Sequence, residues 1–464
     1  MSFTTGESRW ADVWIAAAAR GTTICGDFLA ATALALALQG AGAGGLAVSG
    51  LLLAATLPLV VLAPLAGRLA DRMDSRTLLV TIGFAQAAIC ALLAVVEQPV
   101  LVVGLVTLLA CGLAVTQPCL AALLPAMVRP ADLPRASAIS QTAVSLGALG
   151  GPVLAGLLVG QFGTRVPLLL DAVTYLALVV AGLLLRTRRG GRRPATSQAA
   201  ASSQAPAASQ AAASSQAVSG GVPTAGGTEI GWRLRHDPLM LVMVVSTAVV
   251  IAAIGGINVI EVFFIRETLG GSPTTYGLVS AAWMAGMLPG TWLAVRLARR
   301  LDDDGALVRG VLATLAVCSL MVLLAATVPA AGVLVPLWLV GGAANGGENV
   351  FANLLTARRV PEAMRARAYA SYGAAVQGGS MAGFLIGGAL LAVVPPRPLI
   401  AGAGVVGLLV VLVFVPVVTR AARRSSSAGL ATPGRPAEPE PAAGDTVGPW
   451  LSASHARGSG TSSS

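Results

Sequence analysis

The sequence contains no lysine; all thirty of its basic side chains are arginines. A Walker-type phosphate loop needs a lysine on the nucleotide phosphates, which excludes ATP hydrolysis by that route. Histidine is nearly as scarce. His236 and His455 lie in polar segments outside the apolar runs, so histidine-based metal or acid–base chemistry is excluded from those runs. The five cysteines (Cys25, Cys90, Cys111, Cys119, Cys318) stand singly in apolar stretches and read as small buried hydrophobes. Only 11% of residues are charged, against about 25% in soluble domains, which excludes an ordinary soluble enzyme. No nucleophile–base or metal-ligand constellation stands out, so neither an enzyme nor a cofactor is expected. Nucleic acid is not expected as a partner either, because the arginines are spread over many short loops.

Hydrophobic residues make up 55% of the chain, with a mean hydropathy of +0.80. An apolar run of about 20 residues is long enough to cross a bilayer. Twelve such runs are predicted, at 12–37, 47–67, 77–96, 99–124, 138–160, 166–185, 240–264, 274–297, 306–328, 333–355, 368–394 and 399–418. Once 1–11, 187–236 and 419–464 are set aside, each span and its loop share about 30 residues, too few for an added soluble domain. Arg20 and Asp27 interrupt the first run, which is therefore not expected to be a cleaved signal.

If the loops alternate sides, 26 arginines fall on one side and three (Arg165, Arg266, Arg397) on the other, with Arg20 inside a span. Basic short loops remain cytoplasmic, so both termini are expected inside. Arginine and alanine richness without lysine suggests a GC-rich bacterium, hence a bacterial plasma (inner) membrane. Residues 187–236 begin basic and become Ala/Ser/Gln low complexity, with SQAAASSQA at both 197–205 and 209–217. This segment reads as a disordered cytoplasmic linker, and 420–464 as a disordered tail. They leave two six-span bundles, 1–186 and 237–419. The basic start of the linker could hold anionic lipid or simply fix topology.

The bundles carry traces of one duplication. Residues 66–80, AGRLADRMDSRTLLV, match 294–308, AVRLARRLDDDGALV, at eight of fifteen positions with an offset of 228. Gly151–Gly156 aligns with Gly383–Gly388 at an offset of 232. Each match falls at the corresponding helix of its half. Paired halves about a central site permit one bundle to rock against the other.

The stretch Gly67-Arg68-Leu69-Ala70-Asp71-Arg72-Met73-Asp74-Ser75-Arg76 resembles the loop signature G-x-L-A-D-R-x-G-R-R of the major facilitator superfamily. It departs from that signature at Asp74 and Ser75. Gly147, Gly151, Pro152 and Gly156 resemble the fifth-span signature of proton-coupled exporters, with Ala155 replacing one glycine. Gly26-Asp27 and the run from Leu124-Pro125 to Pro134-Arg135-Ala136 are similar to the branch containing enterobactin and macrolide exporters. The resemblance implies an all-α membrane protein with twelve transmembrane helices in two six-helix pseudo-repeats, the major facilitator fold. It also implies a monomer that exports a small amphipathic molecule by proton antiport, with lipids around it. Proton-independent transport, uptake, or a transporter-like scaffold or sensor are the alternatives.

Gly67, Asp71, Arg72 and Arg76 are expected to form a cytoplasmic gate, or merely to fix topology. Gly147, Gly151, Pro152 and Gly156 are expected to allow close helix approach, as a leak-proof seal or as ordinary packing. Intramembrane charge is costly and usually functional. Arg20 and Asp27 lie about 10 Å apart along one helix, too far to pair, so each needs a partner elsewhere. Asp27 is the leading candidate for a titrating or cation-binding group, with a structural pairing as the alternative. Asn345, Glu348, Asn349 and Asn353 form a stripe expected to face the central cavity, with Glu348 a second candidate. Glu261, one turn after Asn258, is either a binding group or an outer-rim residue. Asp171 reads as a helix-end or packing group.

Overall fold

The computed structural model describes residues 8–187, 234, 237–301 and 303–430; for Gly67, Ala70, Asp71, Ala363 and 421–430 it gives the backbone alone. Apart from Thr187 and Leu234, the predicted linker, including His236, and the tail beyond Leu430, including His455, lie outside the described residues. Among the described residues every element is helical. Each predicted span has its counterpart. The first six are α1 (Trp10–Gly40), α2 with α3 (Gly45–Val61 and Ala63–Arg72), α4 (Ser75–Leu93), α5 (Pro99–Met127), α6 (Leu133–Phe162) and α7 (Arg165–Leu184). The second six begin with α8 and α9 (Pro238–Gly255 and Ile257–Phe263), which continue into a π turn at Phe264–Thr268. They go on through α10 (Pro273–Ala298), α11 (Asp304–Ala325), α12 (Leu334–Arg359), α13 (Glu362–Leu390) and α14 (Pro396–Leu430).

Among the described residues, nine helices are long and apolar enough to cross a membrane. The remaining rods are α2–α3, which is broken, and α12 and α13, which are diluted by Gly, Asn, Ser and Glu. Local chemistry explains the ends. Proline opens α5, α8, α10 and α14, where its missing N–H has no helical partner to lose. The side chains of Asp237, Ser272 and Asp303 cap the N-termini of α8, α10 and α11 by accepting from Met240, Thr275 and Ala306 amides. Pro64 lacks the N–H that would have carried rod two past Leu62. Rod seven breaks at Gly256, where the Asn258 amide donates at 3.1 Å to the carbonyl of Gly255.

The described residues up to Ala422 form one compact unit; beyond it only the helical backbone to Leu430 is described. Within the first unit, α1 packs on α6 and α7, α2 on α5, and α4 on α5 and α7. The second six repeat the scheme: α8 packs on α13, α10 on α12, and α11 on α12. The main contacts between the halves are α6 on α10 and α13 on α2, with α9 also touching α1 and α2. Rod five of one half thus meets rod two of the other, twice over, as a pseudo-two-fold axis requires. The outer surface carries exposed Leu108, Leu146, Val180, Leu293 and Leu412, far more apolar surface than a soluble monomer leaves uncovered. This is a multi-pass membrane protein.

Candidate functional site

Glycine sets how closely the rods approach. A Cβ on Gly147 would collide with the Gly21 carbonyl, and one on Gly151 would lie 2.7 Å from the Cys25 carbonyl, so α6 lies backbone to backbone on α1. Farther along α6 the same stripe turns to the other half. A Cβ at Gly156 would sit 2.6 Å from the Pro273 carbonyl, and one at Gly277 would collide with that of Pro152. The Thr274 hydroxyl crosses the seam and donates to the Gly156 carbonyl at 3.2 Å. The symmetric seam is alike: Gly45 and Gly388 face each other, and the Ser49 hydroxyl donates to the Phe384 carbonyl at 2.6 Å. Gln39 on α1 also donates to Glu267 beyond α9 at 3.1 Å. All these crossings lie toward the arginine-poor end of the molecule.

A carboxyl cluster lies inside the first half. Asp27, half-buried on α1, accepts from the Tyr175 hydroxyl of α7 at 2.5 Å. One turn before Tyr175, Asp171 is 0% exposed. It accepts from the Thr174 hydroxyl at 3.0 Å and the Cys90 thiol at 3.1 Å. Gly26 makes room for it, since a Cβ there would collide with Asp171 Oδ1. The two carboxylates are neighbours: Asp27 follows Gly26, which abuts Asp171, and its partner Tyr175 is one turn along α7 from Asp171. Among the described residues, no arginine is within salt-bridge distance of either.

The second half holds a similar arrangement. Glu348 of α12, only 1% exposed, accepts from the Tyr372 hydroxyl of α13 at 2.5 Å and from the Thr247 hydroxyl of α8 at 3.4 Å. Asn345, Asn349 and Asn353 are half-buried, but Glu348 is turned between three helices of its own bundle, because a phenol and a hydroxyl there replace the water it would lose. The Asn349 amide returns to the Asn345 carbonyl at 2.9 Å.

Glu261 is buried rather than rim-exposed, and the Ser280 hydroxyl donates to it at 3.4 Å. Arg20 is buried against Ser140, at 3.4 Å, and is not joined to Asp27. Of the gate residues, Arg72 is exposed at the end of α3 and Arg76 half-buried in the first turn of α4; the side chain of Asp71 lies outside the described residues. In the second half, Arg359 bonds Asp237 at 2.9 Å and Asp304 at 3.1 Å, tying the starts of α8 and α11 to the end of α12. Sequence reasoning missed Tyr175, Tyr372 and Thr247 and undervalued Asp171. The four-residue spacing of Asp171 and Tyr175 on one helix face was the available signal.

The model of one transporter family, described as transmembrane secretion effector, matches residues 6–436. No curated protein matches the chain in sequence. Among solved structures, the nucleoside transporter NupG superposes with a TM-score of 0.66 at 14% identity, covering 88% of this chain and 99% of its own. A bacterial homologue of the human lysosomal transporter Spinster, inward-facing and unoccupied, gives 0.61 at 14% identity over 89% and 97%. A bacterial homologue of the iron transporter ferroportin, inward-facing, gives 0.61 at 17% identity over 90% and 100%. These likenesses establish the fold, and the family match over nearly the whole chain establishes the rest: the protein belongs to the transmembrane secretion effectors, membrane transporters of the major facilitator type.

Proposed function

We propose that this transporter exports a small amphipathic molecule by alternating access, driven by proton entry, with its arginine-rich end and both termini in the cytoplasm of a bacterial plasma membrane. The observation that carries this reading is the pair of glycine seams, Gly156 with Gly277 and Gly45 with Gly388, both toward the arginine-poor end. With the basic loops inside, a molecule closed there stands ready to receive a cytoplasmic substrate. The carboxyl sites support coupling. A carboxylate withdrawn from water, held by neutral hydroxyl donors and no arginine, can exchange a proton for a cationic group or a rearranged neighbour. Asp27 is the coupling residue, with Asp171 beside it, and Glu348 is the second station. Gly67, Asp71, Arg72 and Arg76 form the cytoplasmic gate that closes when the seams open. The fold and family are those of transporters, and a small molecule, protons and lipid are the only partners this cycle needs, with a single chain as the working unit.

Everted membrane vesicles with an acid interior test the reading. A panel of amphipathic antibiotics and siderophores is offered outside, and wild type is expected to accumulate at least one compound until an uncoupler collapses the gradient. Accumulation that persists with the uncoupler would replace antiport by facilitated transport. Asp71→Asn is expected to reduce transport while the protein still reaches the membrane; normal turnover in that variant would remove the gate.

A further inference from the structure

The last turns of α10 change character along one face. Leu288, Trp292 and Leu293 are exposed, and so are Arg296, Arg299 and Arg300 immediately beyond them. Positions 288, 292 and 296 are spaced by four residues and lie in one stripe of α10, and Arg299 and Arg300 follow in the turn just beyond its end at Ala298. The Arg296 guanidinium lies 3.5 Å from the centroid of the Trp292 ring, which holds the cation at the level of the aromatic. Along a membrane-spanning rod this order, apolar then indole then arginine, follows the order of acyl chain, ester region and phosphate. Among the described residues, no carboxylate is within salt-bridge distance of the three arginines. Asp303 and Asp304, in the next turn, are engaged by Arg309 and Arg359.

The duplicated sequence supplies an internal comparison. At the offset of 228, Arg68 and Arg72 correspond to Arg296 and Arg300, but Asp71 stands opposite Arg299 and Pro64 opposite Trp292. The first copy thus keeps an acid and lacks the aromatic. The second has three exposed cations and an indole within nine residues.

We propose that the end of α10 binds the headgroup of an anionic phospholipid, with Arg296, Arg299 and Arg300 on the phosphate and Trp292 against the glycerol–ester region. Phosphate suits arginine because its planar donors engage two oxygens at once. The site rests on the membrane-spanning fold and not on the direction or coupling of transport. Because α10 also carries Thr274 and Gly277 of the seam, lipid bound at one end of the rod acts on the helix that closes the other.

The test uses the purified full-length protein in phosphatidylcholine vesicles, with brominated phosphatidylglycerol or brominated phosphatidylcholine as quencher. The contribution of Trp292 is taken as the difference from Trp292→Phe. Phosphatidylglycerol is expected to be preferred at Trp292 by about tenfold or more at low salt, each Arg→Gln change lowering this by up to about fivefold. Arg68→Gln with Arg72→Gln is expected to leave it unchanged. Equal quenching by both lipids, or a full preference in Arg296→Gln/Arg299→Gln/Arg300→Gln, would overturn the proposal. If the triple variant does not fold, a salt titration of wild type decides. A preference that fails to decline at high ionic strength is not electrostatic and would equally overturn it.

Discussion

Asp27 and Glu348 are each held by one tyrosine hydroxyl at 2.5 Å, in different halves of the molecule. An uncompensated charge at mid-membrane costs about 3 kcal/mol, so these phenols are part of what makes the carboxyls tolerable. Tyr372→Phe is expected to destabilise the protein by about 1–3 kcal/mol, read as a lowered unfolding midpoint in detergent. Asp27 and Asp171 belong to one side-chain cluster, so their losses should not add. Asp27→Asn/Asp171→Asn is expected to transport about as poorly as the worse single variant; rates that multiply would make the two sites independent. The carboxylates themselves were legible, because acids in apolar runs are conspicuous. Their partners were not, since Asp27 and Tyr175 are 148 residues apart and no local pattern says which helices meet. The partner of Glu348 was hidden for the same reason: its helical face was readable, but the Tyr372 hydroxyl that bonds it comes from another rod.

Helices were the most legible level, since an apolar run of bilayer length has little choice but to be helical. The breaks were less so. The interruptions at Leu62 and Gly256 lie within runs that read as continuous, and only Pro64, Gly255 and Gly256 hinted at them. Close packing depends on which glycines face a neighbour. A Cβ at Gly290 would collide with the Ala343 carbonyl of α12, whereas nothing lies within 4 Å of one at Gly104 in α5. Gly290→Ala is therefore expected to lower stability by about 1–3 kcal/mol, and Gly104→Ala to raise it by about 0.5–1 kcal/mol through helix propensity. Thermal unfolding of the two variants side by side checks the contrast. Loss of Arg359 acts between elements: Arg359→Gln leaves the buried carboxylate of Asp237 without its arginine and is expected to cost about 2 kcal/mol, less than a fully buried pair because Arg359 and Asp304 are partly exposed.

For the whole molecule, the duplication was visible in the matched loops 66–80 and 294–308. The packing of rod five on rod two across the seam was not, because a matched loop does not say which helices meet. The conformation was not legible, because one sequence must satisfy both states of an alternating cycle and carries no mark of which is occupied. The central claim is that outward substrate movement and inward proton movement are one event. The most direct measurement is the lumenal pH of acid-loaded everted vesicles when a transported compound is added outside. The account predicts prompt lumenal alkalinisation with wild type and none with Asp27→Asn. Accumulation of the compound by wild type with no change in lumenal pH would contradict it.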